Sequence, residues 1–230
     1  MRTLGLIPAK GGSQRLARKN ILPLGGRPLL DWAIAAAQDS GVIDRLVVST
    51  EDDEIAGIAR QLGAEVPFLR PMVLARDPAG VVDVALHALA TLRQQGDCFD
   101  TLVILLPTCP LRTAHDVAEA VRLFREAEGR FLMSVTRSDH NPFNAMTLTA
   151  EGRLQPCFPE WLGRKPGTLP STYRANGAIH VLDVPAFETA RSYYAQPLLA
   201  YVMPQERSVD IDDRIGLRLA EAILAELEAE

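Results

Sequence analysis

A chain of 230 residues, 47% hydrophobic and 23% charged, has enough apolar material for one α/β domain, or one domain with a modest insertion. Its apolar runs, such as Leu102 to Leu106, are far too short to cross a bilayer, so no membrane association is expected. A formal net charge of −5 argues against general nucleic-acid affinity. In chain order, Thr3–Pro8 is a short apolar run before a glycine-containing loop and reads as a buried strand. The start of the chain has no signal-peptide layout, and the expected compartment is the cytoplasm. Pro28 to Gln38 reads as a helix, with proline in its first turn and Ser40-Gly41 after its end. Arg45–Ser49 is the next strand. Thr50 and Asp53 have capping-box spacing and open a helix that stops near Gly63. Glu65–Phe68 is expected to be a third strand and Val81–Gln94 a helix. Thr101–Leu106 is a strand, Thr113 and Asp116 open a helix ending near Glu126, and Arg130–Thr136 is a further strand.

This alternation predicts a parallel sheet with helices on both faces. Ligands in such sheets bind at the carboxyl ends of the strands, which directs attention to the loops after Pro8, Phe68 and Leu106. Regularity breaks between Ser138 and Tyr173, a stretch rich in proline, glycine and polar residues that reads as an insertion. Strands return at Ala178–Leu182 and Leu199–Met203, and a last helix runs from about Arg214 to the end.

The segment Pro8 to Asn20, PAKGGSQRLARKN, is the most informative. No acidic residue precedes Asp31, while Arg2, Lys10, Arg15, Arg18, Lys19 and Arg27 all fall before it. Gly11 and Gly12 allow a sharp turn that presents amides to a phosphate, Ser13 adds a hydroxyl, and Lys10, Arg15 and Lys19 suit a triphosphate. The other reading is a solvated basic loop. It is neither a Walker loop nor a dinucleotide fingerprint, since both glycine spacings are missing.

In Ser208-Val209-Asp210-Ile211-Asp212, an extended backbone turns Asp210 and Asp212 to one face, where two carboxylates suit a hard divalent cation such as Mg2+. Asp212 or Asp213 equally suits the cap of the last helix. The run Leu106 to Thr113, LPTCPLRT, is a proline-stiffened turn at the ligand edge. Cys109 within it has no histidine nearby in sequence to activate it and reads as a small turn residue; with Cys98 and Cys157 it forms no metal-ligand spacing. Asn176-Gly177, within Tyr173 to Ile179, reads as a tight turn before a strand, with Arg174 able to grip a carboxylate or phosphate.

In combination, PAKGGSQRLARKN, VVSTEDDEIA, GAEVPFLRPMVLARD, LLPTCPLRT, YRANGAIHV and SVDID resemble the acylneuraminate cytidylyltransferases, or CMP-sialic acid synthetases, in consistent order over nearly the whole chain. GAEVPFLRP is similar to the branch acting on bacterial pseudaminic or legionaminic acid. The resemblance implies a Rossmann-like nucleotide-diphospho-sugar transferase fold spanning residues 1–230 as a single domain, with an inserted dimerisation and sugar-binding segment at about 138–195. It implies a Mg2+-dependent homodimer that joins CMP from CTP to a nonulosonic acid. Lys10, Gly11, Gly12, Ser13, Arg15 and Lys19 would bind the triphosphate, and Asn20 and Arg70 the nucleoside end. Lys10, Lys19 and Asp212 would be catalytic, and Asp210 and Asp212 would hold the metal. Leu106, Thr108, Asn144, Arg174, Asn176, His180, Tyr193 and Tyr194 would surround the sugar.

Several positions depart from the family pattern. Lys10 stands where arginine is usual, Gln14 replaces a frequent lysine, and Gly80-Val81 occupies a region where serine is common near cytosine. Leu106, Asn144 and His180 stand where glutamine, lysine and tyrosine are often found around sialic acid. Arg15-Leu16 also suits enzymes of the eight-carbon acid Kdo, whereas YRANGAI and SVDID favour the nine-carbon branch. The remaining alternatives are a transferase acting on a sugar phosphate with another nucleotide and a non-catalytic CTP-binding relative. The retained aspartate pair speaks against the latter.

Overall fold

The computed structural model describes residues 1–13 and 15–227; Gln14 and the last three positions, into which the final helix is predicted to extend, lie outside the described residues. The chain opens with β1 (Thr3–Pro8) and a small ribbon of β2 (Pro23–Leu24) and β3 (Arg27–Pro28). These are followed by α1 (Leu29–Asp39), β4 (Arg45–Ser49), α2 (Asp53–Gln61) and α3 (Val81–Gln94). Then come β5 (Thr101–Ile104), α4 (Ala114–Glu126), β6 (Phe131–Arg137) and a hairpin of β7 (Met146–Leu148) and β8 (Leu154–Pro156). The long β9 (Tyr173–Asp183), α5 (Val184–Ala190), β10 (Leu198–Val202) and α6 (Arg214–Leu227) complete the order.

Among the described residues the main sheet runs β10-β6-β9-β5-β1-β4. β1 is parallel to β4 and β5, β10 is parallel to β6, and only β9 runs against its neighbours. Alternation along the strands divides the core in two. Val48, Val103 and Leu105 face α1, α2 and α4, whereas Val47, Leu102 and Ile104 face α3 and α5. Helices therefore cover both faces, as the sequence pattern predicts, and the sheet is mostly parallel.

Four local expectations are corrected. Glu65–Phe68 does not form a strand, because only the bridge Val47↔Glu65 exists and the next donor in that ladder falls on Pro67, which has no N–H. Asp52, not Thr50, caps α2, accepting from Ile55 N at 3.0 Å. The strand expected at Ala178–Leu182 begins at Tyr173. Asn176-Gly177 is a bulge inside that strand rather than a turn before it, where pairing with β6 shifts between Met133 and Val135. Gly177 takes φ +71°, a conformation that glycine adopts without a Cβ penalty.

Candidate active site

The basic loop leaves the carboxyl end of β1 and is tied down by acidic residues at the carboxyl end of β4. Gly11 N donates to Glu51 Oε1 at 2.7 Å, and Arg70 Nε and Nη2 donate to Glu51 Oε2 at 2.9 and 2.7 Å. A Cβ on Gly11 would lie 2.4 Å from Asp52 Oδ2, so this close approach requires glycine. Arg18 pairs with Asp52 and Glu54, and Asn20 Nδ2 closes the loop on Lys10 O at 2.8 Å. The Gly11 amide and the Arg70 guanidinium, both expected to meet ligand, are thus already engaged by Glu51. Gly12 remains exposed and Ser13 half-buried.

Lys10, Ser13, Arg15, Lys19, Asn20 and Arg70 line one side of a cleft of about 360 Å³. Leu106 and Thr108 line it as well, as do Gly80 and Val81 at the start of α3. The turn carrying Leu106 is fixed from below by Arg112, which is buried and donates through Nη1 to Leu106 O at 2.8 Å and Cys109 O at 2.5 Å. Cys109 is fully buried and donates to Asn176 O at 2.8 Å. Burial pushes its thiol up to about 12, which removes it as a nucleophile and leaves it the turn residue the sequence indicates.

The acidic segment lies beside this cleft: Asp210 and Asp212 do not line it, and Asp212 is joined to it through Arg15 and Lys19. Val209 and Ile211 are buried, and Ile211 N donates to Thr108 O at 2.8 Å, so Asp210 and Asp212 turn to the opposite face. Asp213 performs the helix capping, its Oδ1 accepting from Ile215 N and Gly216 N at 2.9 Å each. Asp212 is thereby free to pair with these two basic residues: Lys19 Nζ lies 2.9 Å and Arg15 Nη2 3.0 Å from its carboxylate. The hydrogen bond from Lys19 holds the Asp212 carboxyl below the usual range. Desolvation raises that of Asp210, and the neighbouring Asp212 charge adds to the rise.

The residues expected around the sugar are more dispersed. Leu106 and Thr108 line the cleft, but Asn144, Arg174, Asn176, His180, Tyr193 and Tyr194 do not. Asn176 is buried as the keystone of the β9 bulge. Its Oδ1 accepts from Ser134 Oγ at 2.6 Å and its Nδ2 donates to Ser208 Oγ at 2.9 Å. His180 is buried against Tyr193 with ring centres 4.6 Å apart, and Tyr193 meets the exposed Tyr194 at 4.7 Å. Arg174 is exposed near the start of β9, and Asn144 is exposed in the turn preceding β7. Glu51 is the residue the sequence reading missed; its available signal is an acid two residues beyond the end of a strand, at the ligand edge of the sheet.

Comparison with known proteins bears on this arrangement. A family model described as cytidylyltransferase matches residues 4–98, the stretch that carries the basic loop, Glu51 and Arg70. A CMP-N,N'-diacetyllegionaminic acid synthase of Legionella pneumophila is 32% identical over 226 residues, covering 97% of this chain and 97% of that protein. The chain belongs to the cytidylyltransferase family. A pseudaminic acid cytidylyltransferase of Campylobacter jejuni is 28% identical over 97% of this chain and 96% of its own length. The solved structure of CMP:2-keto-3-deoxy-manno-octonic acid synthetase complexed with CTP matches with a TM-score of 0.73, covering 99% of this chain and 100% of that one. At 12% identity this last likeness establishes a shared fold.

Proposed function

We propose that this cytidylyltransferase transfers CMP from CTP to the anomeric hydroxyl of a nonulosonic acid and releases pyrophosphate. One observation carries the reading beyond family membership: Asp212 is paired directly with Lys19 and Arg15, two basic residues that line the cleft. That pairing supports a reading in which a triphosphate would take the basic groups and a divalent cation the carboxylate.

Mg2+ fits the donor set. Among the described residues no group of three or more His, Cys, Asp or Glu side chains is gathered for a metal. Asp210 and Asp212 nevertheless share a face, and Mg2+ is commonly held by one or two carboxylates together with substrate phosphates. When bound, it would neutralise charge on the phosphates. Lys10, Ser13, Arg15 and Lys19 would hold the triphosphate, with Lys10 and Lys19 stabilising charge on the departing pyrophosphate. The sugar hydroxyl oxygen bonds to the α-phosphorus as the bond to the β-phosphate oxygen breaks, and a carboxylate of the pair accepts the hydroxyl proton. Asn20 and Arg70 would border the nucleoside end.

The reading extends to a homodimer in the cytoplasm, formed in part through the segment at about 138–195 of a single domain. Its support is the exposed apolar side chains Met146, Leu148, Leu154 and Leu162. No helix among the described residues is long and apolar enough to cross a membrane. Arg174, Tyr193 and Tyr194 would serve the sugar from this segment and its neighbouring strand.

Pyrophosphate release measured with each of four nucleoside triphosphates and a panel of ulosonic acids tests the reading. Turnover is expected with CTP and a nine-carbon acid, and only with divalent metal. Equal turnover with UTP or GTP would remove the assignment; a preference for Kdo would move the chain to the eight-carbon reaction.

A further inference from the structure

Behind the cleft, one buried carboxylate is held far more firmly than helix capping demands. Asp116, in the first turn of α4, is completely buried. Its Oδ2 accepts from Thr113 N at 2.9 Å and Thr113 Oγ1 at 2.8 Å, which completes the capping box. Arg207 grips both oxygens as a fork, Nε to Oδ2 and Nη2 to Oδ1 at 3.0 Å each, and Tyr201 OH donates to Oδ1 at 3.0 Å. Burial alone would raise this carboxyl, but the hydrogen bonds from Arg207 and Thr113 hold it below the usual range. Replacing such a buried ion pair with apolar side chains is often neutral or stabilising, so stability gives a poor reason for its presence; register is a better one.

We propose that Asp116 is a positioning residue for the acidic pair, an inference that rests on the reading of Asp210 and Asp212 as metal-holding carboxylates. Through Arg207 it fixes the phase of the segment that presents them. In extended backbone a one-residue slip exchanges inward and outward side chains. Here it would bury the two aspartates and expose Val209 and Ile211. Arg207 on Asp116, Ser208 on Asn176, Ile211 N on Thr108 O and Asp212 on Lys19 and Arg15 oppose that slip. Only the first is a charged fork with fixed orientation, and it sits where the segment enters the site. Asp116 also holds Thr113, at the end of the turn whose Thr108 carbonyl receives Ile211. A single carboxylate therefore ties both walls of the acidic rim together.

The test uses Mn2+ as the probe on the full-length, CTP-loaded protein, with free Mn2+ read by electron paramagnetic resonance. Arg207→Gln is expected to weaken Mn2+ binding about tenfold or more, the scale for residues that orient metal ligands. CTP binding without divalent metal should stay close to wild type, whereas Tm should fall, because the Asp116 carboxylate is left buried without its charged partner. Arg207→Lys should recover part of the loss. Asp116→Asn combined with Arg207→Gln should bind no more weakly than the worse single variant, since both remove one contact. If Asp116→Asn does not fold, the two Arg207 variants decide the matter alone. Wild-type Mn2+ affinity in Arg207→Gln, with affinity lost in Asp212→Asn, would overturn the positioning role. Loss of metal-free CTP binding in parallel with Mn2+ binding would overturn it as well, marking the contact as structural support only. Wild-type affinity in Asp212→Asn would instead overturn the metal reading beneath it.

Discussion

The two ends of the candidate site are built by different means. At the proposed nucleotide end, charged side chains from loops distant in sequence converge at one cleft and hold one another in place: Glu51 binds Gly11 and Arg70, and Asp212 binds Lys19 and Arg15. At the proposed sugar end, Leu106 and Thr108 reach the same cleft, while Asn144 and Arg174 stand exposed elsewhere and His180 lies under an aromatic pair. The first region is preorganised by electrostatics within one chain. The second rests on an aromatic cluster and an open arm. A site whose phosphate chemistry is fixed while its sugar contacts lie on a looser scaffold can change its sugar without rebuilding its chemistry.

The largest expected effect falls on the preorganised end. Asp212→Ala should lower kcat by about a thousandfold or more, the scale of lost metal charge stabilisation. Tm should barely move, because the Asp212 side chain is 43% exposed and partly exposed ion pairs contribute little to stability. Pyrophosphate release and thermal unfolding measured on the same preparation check both halves of this statement. Near-normal turnover that still requires metal would place the metal elsewhere and break the contrast between the two ends.

The same contrast separates what could be read from sequence and what could not. Strands such as Arg45–Ser49 and the capping box of Thr113 and Asp116 were legible because their signals are local: an apolar run, or a three-residue spacing. The basic loop was legible from its clustered charge. Three-dimensional partnerships were not. Nothing local to Glu51 says that it binds a residue nineteen positions later, and Asn176-Gly177 has the same letters whether it turns a hairpin or bulges a strand. The ambiguity at Asp212 and Asp213 yielded only to geometry, since either residue satisfies the capping pattern and only Asp213 accepts the amides. Asn176 shows a second kind of partnership hidden from the sequence: motif resemblance puts it beside the sugar, and in the fold its amide bonds Ser134 and Ser208.

A second prediction probes the aromatic end through pH. His180 is buried, its Nδ1 has no hydrogen-bond partner among the described residues, and burial pushes its pKa down to about 4. In the unfolded chain the imidazole takes a proton below its ordinary value of 6.5, while in the fold it stays neutral until about 4. Between these values the unfolded state binds more protons, so stability falls as pH is lowered through the window and is unaffected by this group above it. The loss amounts to roughly 3 kcal/mol at the bottom of the window. His180→Phe, which keeps a ring against Tyr193, should remove that component. Urea unfolding of both proteins at pH 7.5, 6, 5 and 4 checks it, the difference between the curves isolating His180 from the carboxylates. Parallel curves would mean that His180 is solvated, and the aromatic end would then be as polar as the other.

The smallest expected effect concerns Leu106, the residue at which the two ends meet. Its carbonyl is held by Arg112, and a Cβ added to Gly177 of β9 would lie 3.4 Å from its Cδ1, so its position in the cleft is set by both the turn and the bulged strand. An apolar side chain there offers no hydrogen bond to a sugar hydroxyl and suits a deoxygenated acid, so the wild-type protein should use legionaminic or pseudaminic acid better than N-acetylneuraminic acid. Leu106→Gln restores the donor and acceptor that sialic-acid enzymes often carry at this place. One added hydrogen bond contributes about 1 kcal/mol. The ratio of kcat/KM for N-acetylneuraminic acid over N,N'-diacetyllegionaminic acid should therefore rise by somewhat less than tenfold, about fivefold. KM for CTP should stay unchanged, since the phosphate side is held by other residues. Competition between the two acids at saturating CTP and Mg2+ measures the ratio directly. If the wild-type protein already favours N-acetylneuraminic acid, Leu106 does not select against its hydroxyls, and sugar choice resides in the arm instead of the cleft.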